Sequence, residues 1–227
     1  SADFINGNVR YCLWIPDNEL ETALLCPIIQ KRVNKTREMR LSSPDSGARK
    51  LALKPHQFRE FNECDNNTLI IPSTSSERRE YIPMGFADTN TVITNSNYSV
   101  SNATLTLFGI VTSKMQMIWM KAIGGRLKSD YRYTSLVYNT FPFPEISDAK
   151  KQEIEEAAEE VLCVRAEHSE KTLAEMYDPD KMPADLRAAH HTLDLIVESC
   201  YRKEPFTSDE ERLEHLFKLY EKMTTKK

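Results

Sequence analysis

The sequence predicts an α+β protein: a small, mainly antiparallel sheet with helices over residues 1–144, then an all-α helical bundle over residues 145–227. Three observations carry this. Between Thr68 and Val111, short β-prone pieces (TLIIP, YIPMGF, TVIT, TLTLFGIV) alternate with polar punctuation such as STSSERRE and NSNYSVSN. After Pro144 the texture changes to long segments with apolar residues at three- and four-residue spacing. The charge changes at the same place: residues 1–144 hold 17 Lys and Arg against 13 Asp and Glu, and the remainder holds 13 against 21. A mildly basic part and an acidic part are expected to do different jobs.

In chain order, RYCLWI (residues 10–15) reads as a strand closed by the turn signal Pro16-Asp17-Asn18. A helix with Leu20, Ala23 and Leu24 on one face follows. Pro27 either breaks it or opens a second helix running to about Leu41, which carries Lys31, Arg32, Lys35, Arg37 and Arg40 against the single acid Glu38. That basic helix suits either solvent or phosphate. Residues 42–68 are loop-rich, with a turn at Pro44-Asp45-Ser46-Gly47 and a polar break over residues 62–67. Beyond the β-prone stretch, Ser113 starts a helix with Met115, Ile118, Trp119, Ala122 and Ile123 on its core face, ended by Gly124 as a left-handed cap. Ser147 caps the first helix of the bundle, with Ile154, Ala157, Ala158, Val161 and Leu162 inward and a glutamate-rich outer face. LAEMYDPDKMP is a short helical turn and a proline-stopped loop. Pro183 sits at the first position of the next helix, and Ser208 with Glu211 forms a capping box for the last.

At 227 residues, 40% hydrophobic and 28% charged, the chain has the composition of a soluble globular protein able to bury a core. Its five cysteines are odd in number and never in CxxC spacing, against a disulfide framework or zinc site. No apolar run approaches the ~20 residues that span a bilayer, and the N-terminus lacks a signal-peptide core, so no membrane association and a cytoplasmic location are expected. The four Asn-x-Ser/Thr matches, at Asn34, Asn66, Asn97 and Asn102, then read as chance.

The stretch Gly124–Pro144 (GGRLKSDYRYTSLVYNTFPFP) gathers Arg126, Lys128 and Arg132, with Lys121 just upstream, among Tyr131, Tyr133 and Tyr138. Cations interleaved with aromatics suit a polyanion with flat bases: the cations neutralise phosphates while tyrosines stack or hydrogen-bond phosphate oxygens. A solvated strand pair and turn is the plainer reading of the same composition. Arg78 and Arg79, among hydroxyls in the Ser73–Glu80 loop, are donors for phosphate or guanine edges. Asn95, Asn97 and Asn102 could pair bidentately with adenine, although turn chemistry explains asparagines equally well.

Enzymatic signatures are missing. The six glycines build neither a dinucleotide or S-adenosylmethionine turn nor a P-loop. No Asn/Asp-Pro-Pro-aromatic turn is present for a flipped base. Asp148-Ala149-Lys150 is a weak nuclease-like match in the first turn of an amphipathic helix, and His190-His191 reads as surface or core histidine rather than a metal site. No catalytic, cofactor-binding or metal residue is therefore assigned.

The succession RYCLW, PSTSSERREYIPMGF and FGIVTSKMQMIWMKAIGGRLKSDYRYTSLVYNTFPFP resembles the target recognition domain of MmeI-like enzymes. These bacterial single-chain restriction–modification proteins join an endonuclease, an adenine-N6 methyltransferase and a DNA specificity domain. LAEMYDPDKMPADLRAAHHTLDLIVE and ERLEHLFKLYEKM are similar to the family's C-terminal helical domain, so the likeness runs from about Val9 to Met223. It implies a recognition domain over residues 1–144 and a C-terminal helical domain over residues 145–227. It further implies double-stranded DNA as partner, and upstream methyltransferase and nuclease domains on the same polypeptide. S-adenosylmethionine, with Mg2+ a further candidate, would then belong to the parent enzyme and not to this segment. The resemblance does not assign which residue reads which base; the Ser73–Glu80 and Asn95–Thr106 segments are the first places to look, with Gly124–Pro144 seating the domain on the backbone. The competing reading is a structural module that docks the catalytic domains without reading bases.

Overall fold

The computed structural model describes residues 2–59 and 64–225. Its helices are α1 (Ala2–Ile5), α2 (Leu20–Leu24), α3 (Pro27–Leu41), α4 (Ser46–Lys50), α5 (Leu105–Thr112), α6 (Lys114–Ile123), α7 (Ser135–Thr140), α8 (Asp148–Glu167), α9 (Leu173–Met176), α10 (Ala184–Ser199) and α11 (Asp209–Thr225). Its strands are β1 (Thr68–Pro72), β2 (Thr74–Ser75), β3 (Gly85–Ala87), β4 (Asn97–Val100), β5 (Gly125–Leu127) and β6 (Asp130–Arg132). Packing divides the chain into two compact units, one of Val9–Asn62 and one of Ser1–Asn8 with Glu63–Lys227. The first two positions of the polar break at 62–67 lie outside the described residues.

The Val9–Asn62 unit is helical. The RYCLWI segment forms no strand, because a β-prone hexapeptide needs a ladder partner and none pairs with it among the described residues. Pro27 opens α3 at a position where its missing N–H costs nothing. The inward stripe of α3 is Val33 with the half-buried Ile29, Thr36 and Arg40. Arg40 turns back into its own unit: its guanidinium donates to the carbonyls of Leu51 (2.8 Å), Lys54 (2.8 Å) and Gln57 (2.6 Å). It is therefore a structural staple and leaves Lys31, Arg32, Lys35 and Arg37 as the exposed cations of the helix. Asp17 gathers Lys54 Nζ (2.7 Å), His56 Nε2 (2.8 Å) and Gln57 Nε2 (3.0 Å), and the bonds from Lys54 and His56 hold its carboxyl below the usual carboxylate range.

In the larger unit two three-stranded antiparallel sheets, ordered β3-β1-β4 and β2-β6-β5, sit with helices around one core. β1 is buried at every residue and is the centre of its sheet, pairing Ile70 with Gly85 on one side and Pro72 with Asn97 on the other. The TLTLFGIV run, expected as a strand, forms α5 instead. Thr104 caps it by accepting from the Leu107 N–H (3.1 Å), and α5 is buried on nearly every side against α8 and its neighbours. An apolar run buried all round carries no periodicity to separate helix from strand. At Gly109 a Cβ would lie 2.7 Å from Ile154 Cγ2, so glycine sets how closely α5 approaches α8.

α6 buries Met115, Met117, Ile118, Trp119 and Met120, and the Trp119 indole lies against Phe217 and Tyr220 of α11 (ring centroids 5.2 and 5.5 Å). Gly124 ends α6 with φ −68°, not as a left-handed cap. A Cβ there would sit 2.5 Å from the Met120 carbonyl oxygen and 2.9 Å from that of Arg132, so the close approach of helix end to strand is what requires glycine. Ser147 caps α8 as expected, accepting from the Lys150 N–H (3.3 Å). Pro183 stands one place earlier than expected, as the residue before α10. At α11, Ser208 accepts from the Glu211 N–H (3.2 Å) while the Glu211 carboxylate reaches the Thr207 N–H (2.7 Å), a capping box displaced by one residue on its return arm. The helices after Pro144 share their core with the sheet-bearing segment: Ile154, Leu193, Val197 and Leu216 pack in the same cluster as Leu69, Phe108 and Trp119. No helix among the described residues is long and apolar enough to cross a membrane.

Candidate nucleic-acid interface

Three sequence-predicted segments meet at one edge of the larger unit. β5 and β6 form a hairpin in which Gly125 faces Arg132, Arg126 faces Tyr131 and Leu127 faces Asp130. β2 adds to its other side, with Thr74 opposite Arg132 and Ser75 opposite Tyr131, which brings the 73–80 loop alongside. The Asn95–Asn97 turn joins through Ser73, whose N–H and hydroxyl both donate to the Ser96 carbonyl (3.2 and 2.7 Å). Tyr133 N–H in turn donates to the Ser73 carbonyl (3.0 Å).

The hairpin stands out from the fold. All three residues of β5 are exposed, and Lys128 at the turn has φ +58°, the left-handed conformation that tight hairpin turns need and that a non-glycine residue adopts at a cost. Strand alternation sends Arg126 and Tyr131 to one face and Leu127, Asp130 and Arg132 to the other. On the first face the Arg126 guanidinium lies 4.4 Å from the Tyr131 ring centroid. It donates to Glu77 Oε2, to the Ser129 carbonyl and to the Tyr131 hydroxyl, each at 3.1 Å. Arg126 is thus held in one orientation before any ligand arrives. Lys121, Lys128 and Arg132 are exposed and carry no ion pair among the described residues.

The remaining assignments divide. Arg78 is exposed and paired with Asp180, which raises its pKa. Arg79 is half-buried; burial lowers its pKa, and the nearby charges of Asp178 and Asp130 oppose that. Asn95 is exposed at the turn, whereas Asn97 is half-buried in β4 with its Oδ1 unpartnered in the protein. Asn102 does not join the site. It lies beyond the opposite end of β4, roughly 10 Å or more along the strand, where φ +53° and an N–H donated to Asp65 Oδ2 (2.8 Å) make it a turn residue. Tyr133, 2% exposed, cannot reach a ligand. Its hydroxyl accepts from Gln116 Nε2 (2.9 Å), and burial pushes its pKa up. Tyr131, 8% exposed, supports Arg126 from beneath instead of offering a free stacking face. Alternation along β6 explains both tyrosines: residues 131 and 133 point inward and Arg132 outward.

Sequence reasoning passed over three residues here. Glu77 and Asp130 are carboxylates set among the cations, and neither was assigned a role from sequence. Tyr98, 38% exposed on β4, lies in a segment read as polar punctuation. The local signal for Glu77 was its place next to Arg78 and Arg79; its pairing with Arg126, 49 residues away, had none. Elsewhere, His190 is a core residue whose Nε2 meets the Tyr177 hydroxyl (2.7 Å), and Lys150 pairs with Glu153 (2.5 Å) rather than with Asp148.

Comparison with known proteins accounts for nearly the whole chain. Residues 1–145 match the family model described as MmeI, target recognition domain, and residues 146–226 match MmeI, C-terminal domain. The chain is 50% identical over 225 residues to DNA methyltransferase A of Bacillus subtilis (strain 168), covering 99% of this chain and 26% of that protein. A solved structure of the Type IIL restriction–modification enzyme MmeI in complex with DNA superposes with a TM-score of 0.94 at 39% identity, over 99% of this chain and 30% of that one. The chain therefore spans between a quarter and a third of the length of these relatives, and it belongs to the MmeI family through that family's target recognition and C-terminal domains.

Proposed function

We propose that this chain is the DNA-recognition module of a restriction–modification methyltransferase. The observation that carries the reading is the convergence of the 73–80 loop, the Asn95–Asn97 turn and the exposed β5–β6 hairpin on one edge. A two-stranded ribbon is narrow enough to enter the major groove of a duplex. Lys121, Lys128 and Arg132 supply phosphate contacts that set register. Arg126, fixed by Tyr131 and Glu77, together with Asn95, supplies directional donors at base edges, and Glu77 and Asp130 supply acceptors. The relatives named above are a DNA methyltransferase and an enzyme solved on DNA, which supports the same reading.

On this proposal the parent polypeptide contributes upstream methyltransferase and nuclease domains. These use S-adenosylmethionine to methylate an adenine N6 and Mg2+ where the parent also cleaves, while the present chain supplies position and sequence choice. The test is binding of a duplex pool by the protein over a salt series. The expected result is affinity that falls steeply with salt, with Arg132→Ala and Lys128→Ala each reducing the slope by about one. Salt-independent binding, or no binding at low ionic strength, would overturn it. Salt-resistant capture of the upstream catalytic portion without any affinity for DNA would favour a docking role instead.

A further inference from the structure

Asp194 lies on α10, in the helical part of the chain, and is 3% exposed. Both of its carboxylate oxygens are committed to elements that lead into the recognition edge. Oδ2 accepts from the Tyr81 hydroxyl (2.6 Å), and Oδ1 accepts from the backbone N–H of Lys114, the first residue of α6 (2.7 Å). The second bond is a helix cap supplied from a distant helix. Ser113, in the N-cap position of α6, makes no side-chain cap and donates its hydroxyl back to the Ile110 carbonyl (2.7 Å). An anionic acceptor at that N-terminus is also favoured by the helix dipole.

Each bond leads to one arm of the edge. α6 runs ten residues, about 15 Å, to Gly124, where the Met120 and Arg132 carbonyls leave no room for a side chain, and the β5–β6 hairpin follows at once. Tyr81 follows the loop that carries Glu77, Arg78 and Arg79. That loop is drawn to the same helical region by Arg78 with Asp180 and by Glu80 with Arg187 (3.2 Å). The Tyr81 ring also stacks on His190, one turn before Asp194 on α10 (ring centroids 4.2 Å).

We propose that Asp194 is a positioning residue for DNA recognition: one carboxylate from the helical domain fixes the separation between the 73–81 loop and the α6–hairpin arm. The proposal rests on the recognition reading above. It makes the C-terminal helices a clamp that sets the geometry of the binding edge without touching the ligand.

The experiment compares the wild-type protein with Asp194→Ala and Asp194→Asn, by amide hydrogen exchange and by affinity for a duplex that the wild type selects from a randomised pool. Asn keeps an acceptor for the Lys114 N–H and a donor toward the Tyr81 oxygen; Ala keeps neither. Asp194→Ala is expected to speed exchange in the first turn of α6 and in the hairpin, and to weaken binding about tenfold. Asp194→Asn is expected to bind like the wild type and to exchange no faster than it in either segment. A folded Asp194→Ala protein with native exchange in α6 and the hairpin overturns the proposal, as does an Asn variant as damaged as Ala. Should Asp194→Ala fail to fold, Tyr81→Phe deletes one bond of the two. Exchange should then rise over residues 77–81 and stay slow at Lys114, and unchanged exchange over 77–81 overturns the proposal. If the wild type selects no duplex, the recognition reading falls, and the exchange measurements still decide whether Asp194 is a clamp.

Discussion

Asp194 makes a quantitative prediction about stability as a function of pH. Burial is the main reason its carboxyl is pushed up to about 7, with the nearby Glu198 carboxylate adding to the rise and the bonds from Tyr81 and Lys114 opposing it. A carboxyl whose pKa is raised by folding binds its proton more tightly in the native state. Its favourable contribution is fully present below the unfolded value near 4 and is lost as pH climbs through the folded value near 7. Roughly three pH units at ~1.4 kcal/mol each give a loss of about 4 kcal/mol. His190 works in the opposite sense: burial holds its imidazole neutral, so its contribution falls as pH drops below about 6.5. The wild-type curve therefore contains opposing slopes, and a difference measurement is required. Asp194→Asn mimics the protonated acid at every pH and leaves His190, Glu198, Lys114 and Arg212 in place. Urea unfolding of both proteins at steps between about pH 4 and about pH 8 should show the variant gaining on the wild type, by about 4 kcal/mol in total, with the gain complete shortly above pH 7. A flat difference, or one in which the variant loses ground as pH rises, would refute the assignment of a strained buried carboxylate.

Two further expectations concern the recognition edge and a third the exposed cations of α3. Gly124→Ala places a Cβ 2.5 Å from one backbone oxygen and 2.9 Å from another; it should destabilise the protein by about 1–3 kcal/mol in thermal or urea unfolding and weaken duplex binding as the hairpin shifts. Lys128→Gly relieves a left-handed residue at φ +58° and should hold or raise stability by up to about 1 kcal/mol while lowering DNA affinity and the salt slope, a divergence that differential scanning calorimetry and binding titration would reveal together. Joint replacement of Lys31, Arg32 and Lys35 by Ala on α3 should leave far-ultraviolet circular dichroism unchanged. If that helix face meets DNA, the log–log salt slope should fall by about three, and an unchanged slope would make it a solvated face.

Helix identity was legible wherever one face is apolar and the ends are marked. α8, α10 and α11 fall where the periodicity, Ser147, Pro183 and the Ser208/Glu211 pair place them, because caps and amphipathic stripes are local features. The errors cluster where burial is complete or a partner is needed. α5 is buried on almost every side, so its threonines and branched residues read as strand, and only its packing on α8 decides otherwise. RYCLWI has strand composition but no strand to pair with among the described residues, and α7 had no stripe long enough to detect. Gly124 was rightly seen as a stop signal but for the wrong cause: the restriction is a neighbouring strand, not a left-handed φ.

The recognition edge was legible as chemistry and not as geometry. Its cations are close in sequence, so Lys121, Arg126, Lys128 and Arg132 could be gathered from one stretch, and Arg78 and Arg79 from another. Which of them are free could not be, because Arg78 is paired with a residue 102 positions away and Arg126 with one 49 positions away. Asp194 shows the limit most clearly. In the sequence it is one of two acidic letters in LDLIVE, and its two bonds reach across 113 and 80 residues. An edge of fixed shape depends on such distant acceptors, whereas contact with a ligand depends on the exposed side chains. A reading of composition finds the second group first. On the proposal above, the groups that set the spacing of loop and hairpin lie behind the exposed edge, and changing recognition without losing it should mean altering that edge while leaving Asp194, Tyr81 and Gly124 untouched.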